Sequence, residues 1–278
     1  MLRRVVCLLL LLLAAAALHA QPQPGPVTVV SQVRTDDGQT LAVWSRVPAQ
    51  PRGAIVLVHG RIWSALPNFD LQVLGEPRDA RSVLAALAQA GFAAYAVDLR
   101  GYGGSPRDRT GWNTPARAVA DVRSVLAWVA QTHPDVPPPA LLGYSNGTRV
   151  ALLLAQQQPQ AMSALVLFGF PDDVDAPPAP AVPADRPLRA PTTAAAAGED
   201  FIAANAAPPA VRAAYVAQAL WLRTRCAPTG ARWSSSPSIP SRSQRSRYCC
   251  CAASTSRSPP RQTTPISTHV YAAQIAAG

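Results

Sequence analysis

A serine stands between two glycines in the sequence Gly143-Tyr144-Ser145-Asn146-Gly147. The apolar run 140–142 before it predicts a short buried strand, and the Ala- and Leu-rich run 148–157 after it predicts a buried helix. A serine at so sharp a strand-to-helix turn has a strained backbone, which leaves its hydroxyl exposed above the sheet. Glycine is needed on each side because a Cβ there would clash with the neighbouring strand and helix. The pattern is typical of a nucleophile that attacks an acyl carbon, and an ordinary Gly/Ser turn is the alternative.

Two more motifs lie upstream, each at the end of a predicted buried strand. Leu57-Val58-His59-Gly60 ends the strand 54–58, and the strand 92–97 is followed by Asp98-Leu99-Arg100-Gly101-Tyr102-Gly103-Gly104-Ser105. In order and spacing, the three motifs strongly resemble those of the α/β-hydrolase superfamily over about residues 27–222. The resemblance implies a three-layer α/β fold with a mostly parallel, doubly wound sheet. It also implies a serine hydrolase of the esterase, lipase or peptidase kind, without fixing the substrate.

The resemblance assigns roles to the residues of these motifs. Ser145 is the expected nucleophile, and the backbone N–H of Asn146 is one expected donor to the oxyanion. The other donor is expected from Arg61 or Ile62, which directly follow the His-Gly pair. We expect no metal and no organic cofactor, because acyl transfer by a serine needs neither.

Three further polar residues of the motifs are expected to build the site rather than to react. We expect His59 to shape the loop that carries the second oxyanion donor, rather than to act as the base. Asp98 and Arg100 are expected to tie neighbouring loops together by charge-assisted hydrogen bonds. Three aromatic residues either line an apolar substrate pocket or pack in the core: Trp63, Phe69 and Trp112.

The first two hundred residues alternate between strand and helix patterns. A predicted hairpin joins strands 27–33 and 41–47 through the turn 35–38. Beyond the strands already named, 140–143 and 162–168 read as strands, and helical spacing runs over 81–90, 114–131 and 148–157. Such alternation predicts a parallel sheet with helices on both faces.

The segment 171–222 is expected to be an insertion that forms a cap or lid over the site. Its part 171–191 is rich in Pro, Ala and Asp, and helical spacing returns over 199–222. A flexible surface loop is the alternative for the Pro-rich part.

The N-terminal residues 1–20 have the pattern of a signal peptide. Arg3 and Arg4 precede the apolar run 5–18, and Leu18-His19-Ala20 offers a cleavage site. The run is short for a bilayer-spanning helix, which needs about 20 residues. We therefore expect a secreted or periplasmic protein with no stable membrane span, and an uncleaved N-terminal anchor is the alternative.

Nearly all of the formal net charge of +10 lies in the C-terminal part of the chain. Residues 1–200 hold sixteen arginines against all fifteen carboxylates, whereas residues 201–278 hold nine arginines and no carboxylate. A basic tail without a basic domain argues against a nucleic-acid partner. The expected partner is instead a small-molecule ester or amide.

The acid and the histidine of a catalytic triad have no obvious candidates. Asp172, Asp173 and Asp175 follow the sixth predicted strand, but solvated loop residues are the alternative. His269 is the one late histidine and lacks the small-residue setting usual for a catalytic histidine, and His133 is expected to be exposed at a helix end. A catalytically inactive protein that retains the fold is therefore a second functional hypothesis.

Residues 223–278 form a low-complexity tail dominated by Arg, Ser, Pro, Thr and Cys. A disordered tail is one interpretation. The other interpretation is a frameshift. When the last base of each codon is read together with the first two bases of the next codon, Tyr248-Cys249-Cys250-Cys251 becomes Leu-Leu-Leu, whichever synonymous codons are used. Either interpretation predicts a sheet that is incomplete at its C-terminal edge.

Overall fold

Seven strands form one sheet in the order β1-β2-β4-β3-β5-β6-β7. The structure is a computed structural model that describes residues 26–60, 63–111, 113–170, 193–203, 205–221 and 248–251. Strand β2 is antiparallel to both of its neighbours, and the remaining pairs are parallel. The predicted, mostly parallel sheet is thus confirmed. The strands are β1 (Val29–Arg34), β2 (Thr40–Arg46), β3 (Gly53–Val58), β4 (Phe92–Val97), β5 (Ala140–Tyr144), β6 (Leu165–Phe168) and β7 (Tyr248–Cys251).

Helices cover both faces of this sheet and make the three-layer arrangement that was expected. They are α1 (Ala65–Phe69), α2 (Val83–Gln89), α3 (Pro115–Thr132), α4 (Asn146–Gln157), α5 (Ala194–Gly198) and α6 (Pro209–Trp221), with a 3₁₀ turn at Pro159–Ala161. Val56 and Val58 of β3 pack on the α3–α4 side, whereas Ile55 and Leu57 pack on the α1–α2 side. Burial on both faces explains why β3 is an uninterrupted apolar run. No helix in the described part of the chain is long and apolar enough to cross a bilayer.

Helices α2 and α3 each begin with a side chain that caps the first turn. Ser82 Oγ accepts a hydrogen bond from Ala85 N at 2.9 Å, and Thr114 Oγ1 accepts one from Arg117 N at 3.2 Å. Each cap satisfies a backbone donor that the first turn of the helix leaves free. Helices α2 and α3 therefore begin within two residues of their predicted positions.

The predicted helix 199–222 is wrong over its first part. The structure has α5 at Ala194–Gly198 and α6 at Pro209–Trp221, with non-helical backbone over the described residues between them. Pro209 is the first residue of α6, a position where the missing N–H costs nothing, whereas within a helix it would break the hydrogen-bond ladder. The five-residue helix α1 was not predicted.

Four residues of the C-terminal tail lie in the sheet, contrary to the interpretation of the whole segment 223–278 as a disordered tail. Strand β7 pairs in parallel with β6, with Tyr248 opposite Leu165 and Cys251 opposite Phe168. The predicted signal peptide 1–20, the Pro-rich part of the predicted lid at 171–191 and the rest of the tail lie outside the described residues.

A buried arginine in the loop after β4 joins this loop to the β1–β2 turn and to helix α3. Arg100 forms salt bridges with Asp37 at 2.8 Å, Asp108 at 3.0 Å and Asp121 at 2.8 Å. The hydrogen bond from Arg100 is the main cause that holds the pKa of Asp37 below its usual range. The loop-tying role predicted for Arg100 is thereby confirmed.

We predict that Arg100→Ala lowers the free energy of unfolding by about 3 kcal/mol, because it leaves a buried carboxylate, Asp121, with one fewer cation. The loss lies at the low end of the usual range because Arg117 also contacts Asp121, at 3.0 Å. Urea unfolding of the variant and the unmodified protein measures this loss of unfolding free energy. Arg81→Ala is the matched control, since Arg81 pairs with Glu76 at the surface and should change little. Equal losses in the two variants would contradict the role of Arg100.

Candidate active site

Ser145 lies in a strained turn between β5 and α4. Its φ of 50° and ψ of −119° make it the sole described residue other than glycine with a positive φ. Ser145 N donates to Phe168 O at 2.9 Å, and Thr148 N donates back to Ser145 O at 2.9 Å. The strain predicted at this turn is present, and the hydrogen bonds to neighbouring backbone hold it in place.

The two flanking glycines are required by contact with backbone atoms. A Cβ on Gly143 would lie 2.4 Å from Gly147 O in α4. A Cβ on Gly147 would lie 2.3 Å from Val58 O at the end of β3. Since neither backbone can retreat as a flexible side chain would, the predicted clashes with helix and strand are confirmed.

The loop after β3 passes beside Ser145. A Cβ on Gly60 would lie 3.2 Å from the Ser145 Cβ, closer than an ordinary van der Waals contact, so the backbone of Gly60 runs directly against this serine. The predicted oxyanion donors Arg61 and Ile62 follow Gly60 and lie outside the described residues. Asn146 is the first residue of α4, where a backbone N–H has no acceptor within the helix. That N–H can therefore serve an anion next to Ser145.

His59 is fully buried, and both of its ring nitrogens form hydrogen bonds with backbone atoms. Leu99 N donates to Nε2 at 3.1 Å, so the ring proton is on Nδ1, which donates to Gly60 O at 2.7 Å. Burial lowers the pKa of His59 to about 4, although the bond to Gly60 opposes this shift. The imidazole is thus neutral and shapes the loop after β3, as expected, and has no nitrogen left to accept a proton from Ser145.

Asp98 is a buried carboxylate without an arginine partner among the described residues. Its oxygens accept from Ala65 N at 2.7 Å, Trp44 Nε1 at 2.8 Å and Gly104 N at 2.9 Å. Burial raises its pKa to about 6, and these three bonds lower it. Asp98 therefore ties the start of α1 to β2 and to the turn after β4, which confirms its predicted structural role.

Helices α5 and α6 pack against the segment that follows β3. Trp63 is 3% exposed and contacts Ala197 of α5 and Ala219 of α6. Phe69, also predicted as a pocket residue, is buried in the core on the α1–α2 side of the sheet. Trp112, the third aromatic residue named from the sequence, lies outside the described residues.

The remaining described histidine is engaged elsewhere. His133 ends α3, is partly rather than fully exposed, and its Nε2 lies 2.6 Å from the hydroxyl of Tyr95. The candidate acids and base Asp172, Asp173, Asp175 and His269 lie outside the described residues. Within the described part of the chain, the structure thus brings together the predicted nucleophile, Ser145, and one predicted oxyanion donor, Asn146, but no candidate base.

Three described carboxylates, those of Asp36, Asp37 and Asp121, are close enough together to share a cation. Each is already paired with arginine. Asp37 and Asp121 pair with Arg100, and Asp36 pairs with Arg117 and Arg123. Their negative charge is balanced within the protein, so we assign no metal to them.

A polar cluster that the sequence does not indicate lies at the contact between α6 and the body of the protein. Tyr215 on α6 donates to Asp200 Oδ2 at 2.8 Å and accepts from Asn68 Nδ2 at 3.4 Å. Helical spacing was the only signal for this region, and spacing alone does not identify what a tyrosine contacts.

The profile of the serine aminopeptidase S33 family matches residues 49–184. This range includes all three motifs and ends within the segment after β6. The match agrees with the sheet order and with the strained serine at the end of β5.

Among curated proteins, the chain is similar to a monoacylglycerol lipase from Mycolicibacterium smegmatis (strain ATCC 700084 / mc(2)155), with 28% identity over 151 residues. The alignment covers 54% of this chain and 45% of the lipase, so the chain spans less than half the length of that relative. Among solved structures, it is similar to an epoxide hydrolase from an endophytic Streptomyces (26% identity, 52% and 38% of the two chains, TM-score 0.39). It is also similar to epoxide hydrolase A from Mycobacterium thermoresistibile (23% identity, 56% and 41% of the two chains, TM-score 0.40).

We predict that His59→Asn makes stability less dependent on pH in the acid range. A histidine whose pKa falls from 6.5 unfolded to about 4 folded stabilises the protein above pH 6.5, and this contribution is lost as the pH falls towards 4. Relative to the variant, the unmodified chain should lose about 3 kcal/mol of unfolding free energy between pH 7 and pH 4.

Urea unfolding of both proteins at pH 7, 5 and 4 measures this difference. Asn retains a donor for Gly60 O, and the opposite effect of Asp98, whose raised pKa favours the folded state at low pH, cancels in the comparison. Parallel pH profiles of the two proteins would show that His59 is not buried in its neutral form.

Proposed function

The chain belongs to the α/β-hydrolase superfamily, and from this we propose that it is a serine hydrolase that cleaves a carboxylic ester or amide. The observation that supports the proposal most is the strained backbone of Ser145 at the end of β5. A positive φ at a serine is costly, and it persists where the surrounding structure holds a reactive side chain in place.

The reaction would proceed through an acyl-enzyme. Ser145 Oγ attacks the acyl carbon and gives up its proton to a base, while the negative charge develops on the carbonyl oxygen. The N–H of Asn146 would bind that oxyanion together with the N–H of Arg61 or Ile62. The protonated alcohol or amine then leaves, and water releases the acid from Ser145.

Esters are the substrate class that we favour. The relative at 28% identity is named a monoacylglycerol lipase, and a buried aromatic side chain, that of Trp63, follows the proposed oxyanion loop in the sequence. These observations support a carboxylic ester with an apolar acyl chain. We further propose that the protein is exported, on the basis of the signal-peptide pattern in residues 1–20, and that nucleic acid is not a partner.

A second candidate is a protein that retains this fold without catalysis. The occupied nitrogens of His59 and the pairing of His133 with Tyr95 favour it, because neither described histidine can serve Ser145. In the catalytic proposal the base and acid come from residues outside the described ranges, with His269 and the carboxylates at 172, 173 and 175 as candidates.

We predict that a fluorophosphonate probe labels the full chain and that Ser145→Ala abolishes the labelling, because the probe reacts only with an activated serine. Labelled protein is measured by mass spectrometry after a fixed exposure. Ser163→Ala is the matched control, since Ser163 is exposed and should leave labelling unchanged. Folded, soluble protein that takes up no probe would favour the non-catalytic candidate.

We also propose that the tail 223–278 is read in a shifted frame. Sequencing the gene across residues 219–278 should then reveal, in the alternative frame, an acidic residue after the Leu-Leu-Leu that replaces Tyr248–Cys251, followed by a histidine. This expectation rests on the low-complexity composition of the tail and on the Leu-Leu-Leu of the shifted frame, which does not depend on codon choice. Early stop codons in the shifted frame would rule the frameshift out.

A further inference from the structure

Arg46 is a buried arginine at the end of β2 that holds the segment 70–82, which connects α1 to α2. It is 2% exposed, and its guanidinium forms salt bridges with Asp70 at 3.0 Å and with Asp79 at 2.6 Å. Ser82 closes the segment, because its Oγ donates to Asp70 Oδ1 at 2.5 Å. This α1–α2 segment therefore returns to the place where it began, and one side chain of the sheet fixes it there.

The first described residues of the chain complete this ion-pair cluster. Thr28 Oγ1 accepts from Arg46 Nε at 2.7 Å and donates to Asp70 Oδ2 at 2.5 Å. The carbonyl oxygen of Pro26 accepts from Arg46 Nη1 at 3.2 Å. Since Arg46 brings one positive charge against the two negative charges of Asp70 and Asp79, the hydroxyl of Thr28 helps to stabilise the excess carboxylate.

Helix α6 packs on the same α1–α2 segment. Leu71 and Val73 form a buried apolar cluster with Val211 of α6. Beside this cluster, Gln218 Nε2 of α6 donates to Asp70 O at 3.3 Å. Asp70 therefore bonds to the N-terminal residues and β2 through its carboxylate, and to α6 through its backbone carbonyl.

Residues 26–28 are accessible from the solvent even though they bind a buried arginine. Val27, between the two residues that contact Arg46, is 55% exposed. The contacts described above for this segment are hydrogen bonds rather than packed apolar side chains. A segment held in this way can detach without unfolding the sheet beneath it.

We propose that residues 26–28 are a strap that controls the mobility of helix α6. With the strap in place, Thr28 and Arg46 hold Asp70, and the α1–α2 segment offers α6 a fixed surface. When the strap detaches, Arg46 and Asp70 lose the hydroxyl that they share, the segment loosens, and α6 loosens with it. The strap thus transmits the state of the N-terminal residues to a helix of the predicted insertion 171–222, whether or not Ser145 is catalytic.

Four variants of the full chain test the proposal. Thr28→Val keeps the shape of the side chain and removes the hydroxyl, whereas Thr28→Ser keeps the hydroxyl and removes a methyl group. Thr28→Ala also removes the hydroxyl and places no extra methyl group against Arg46, so it serves if the valine variant does not fold. Thr132→Val is the matched control, because the Thr132 hydroxyl bonds only to Trp128 O, at 2.8 Å on the surface of α3.

The measurement is hydrogen exchange of backbone amides, followed by mass spectrometry, in three regions: the α1–α2 segment, α6, and residues 118–129 of α3 as a reference. In Thr28→Val and Thr28→Ala we expect exchange to accelerate about tenfold in the first two regions, because the loss of a hydrogen bond to a charged group favours local opening by about that factor. Exchange in the reference region should not change. Thr28→Ser and Thr132→Val should both exchange like the unmodified chain.

The three regions separate the proposal from its alternatives. Faster exchange in the α1–α2 segment with α6 unchanged would overturn the coupling between the strap and α6. Equal acceleration in α3 would show that Thr28 stabilises the whole fold, and unchanged exchange everywhere would show that water replaces its hydroxyl. Each of these two results would also overturn the strap. Because no substrate is used, the outcome does not depend on the proposed hydrolase activity.

Discussion

The close approach of α4 to the ends of β3 and β5 is the constraint on which the site depends. Gly143 and Gly147 lack side chains at the two points where backbone meets backbone. With any Cβ there, α4 would have to move away from the sheet, and Ser145 would lose both its strained φ and its place beside Gly60. The local chemistry of Ser145 is thus a consequence of packing between a helix and two parallel strands.

Two buried charged groups in the loop after β4 are stabilised in different ways. Arg100 is surrounded by carboxylates, so its charge is neutralised by direct ion pairs. Asp98 has only neutral N–H donors. Its pKa is raised because these donors stabilise the carboxylate less than the water that burial removes. Asp98 nevertheless fixes the start of α1, so the same uncompensated charge helps to place the segment after the His-Gly pair.

The parts of the fold that local rules determine could be predicted from the sequence. Strand β4 was predicted with its observed bounds because burial on both faces makes it a continuous apolar run between a glycine and an aspartate. The turn at Ser145 was predicted because its glycines are needed for local steric reasons. Helix α1 was not, since its five residues carry no periodic pattern and its first amide is bound by Asp98, 33 residues away. The contact between Asn68 and Tyr215 joins residues 147 positions apart and depends on where α6 packs. The acid and the base of the proposed triad also remain predictions.

The backbone contact between Gly147 and the end of β3 has a mechanical consequence. It fixes Ser145 and the first turn of α4 to the end of β3 as one rigid unit. On the side of α5 and α6, side chains rather than backbone atoms make the contacts, among them those of Trp63 and Leu71. Changes of residue size can therefore be absorbed by repacking on that side, whereas at the turn, where two backbones meet, they cannot.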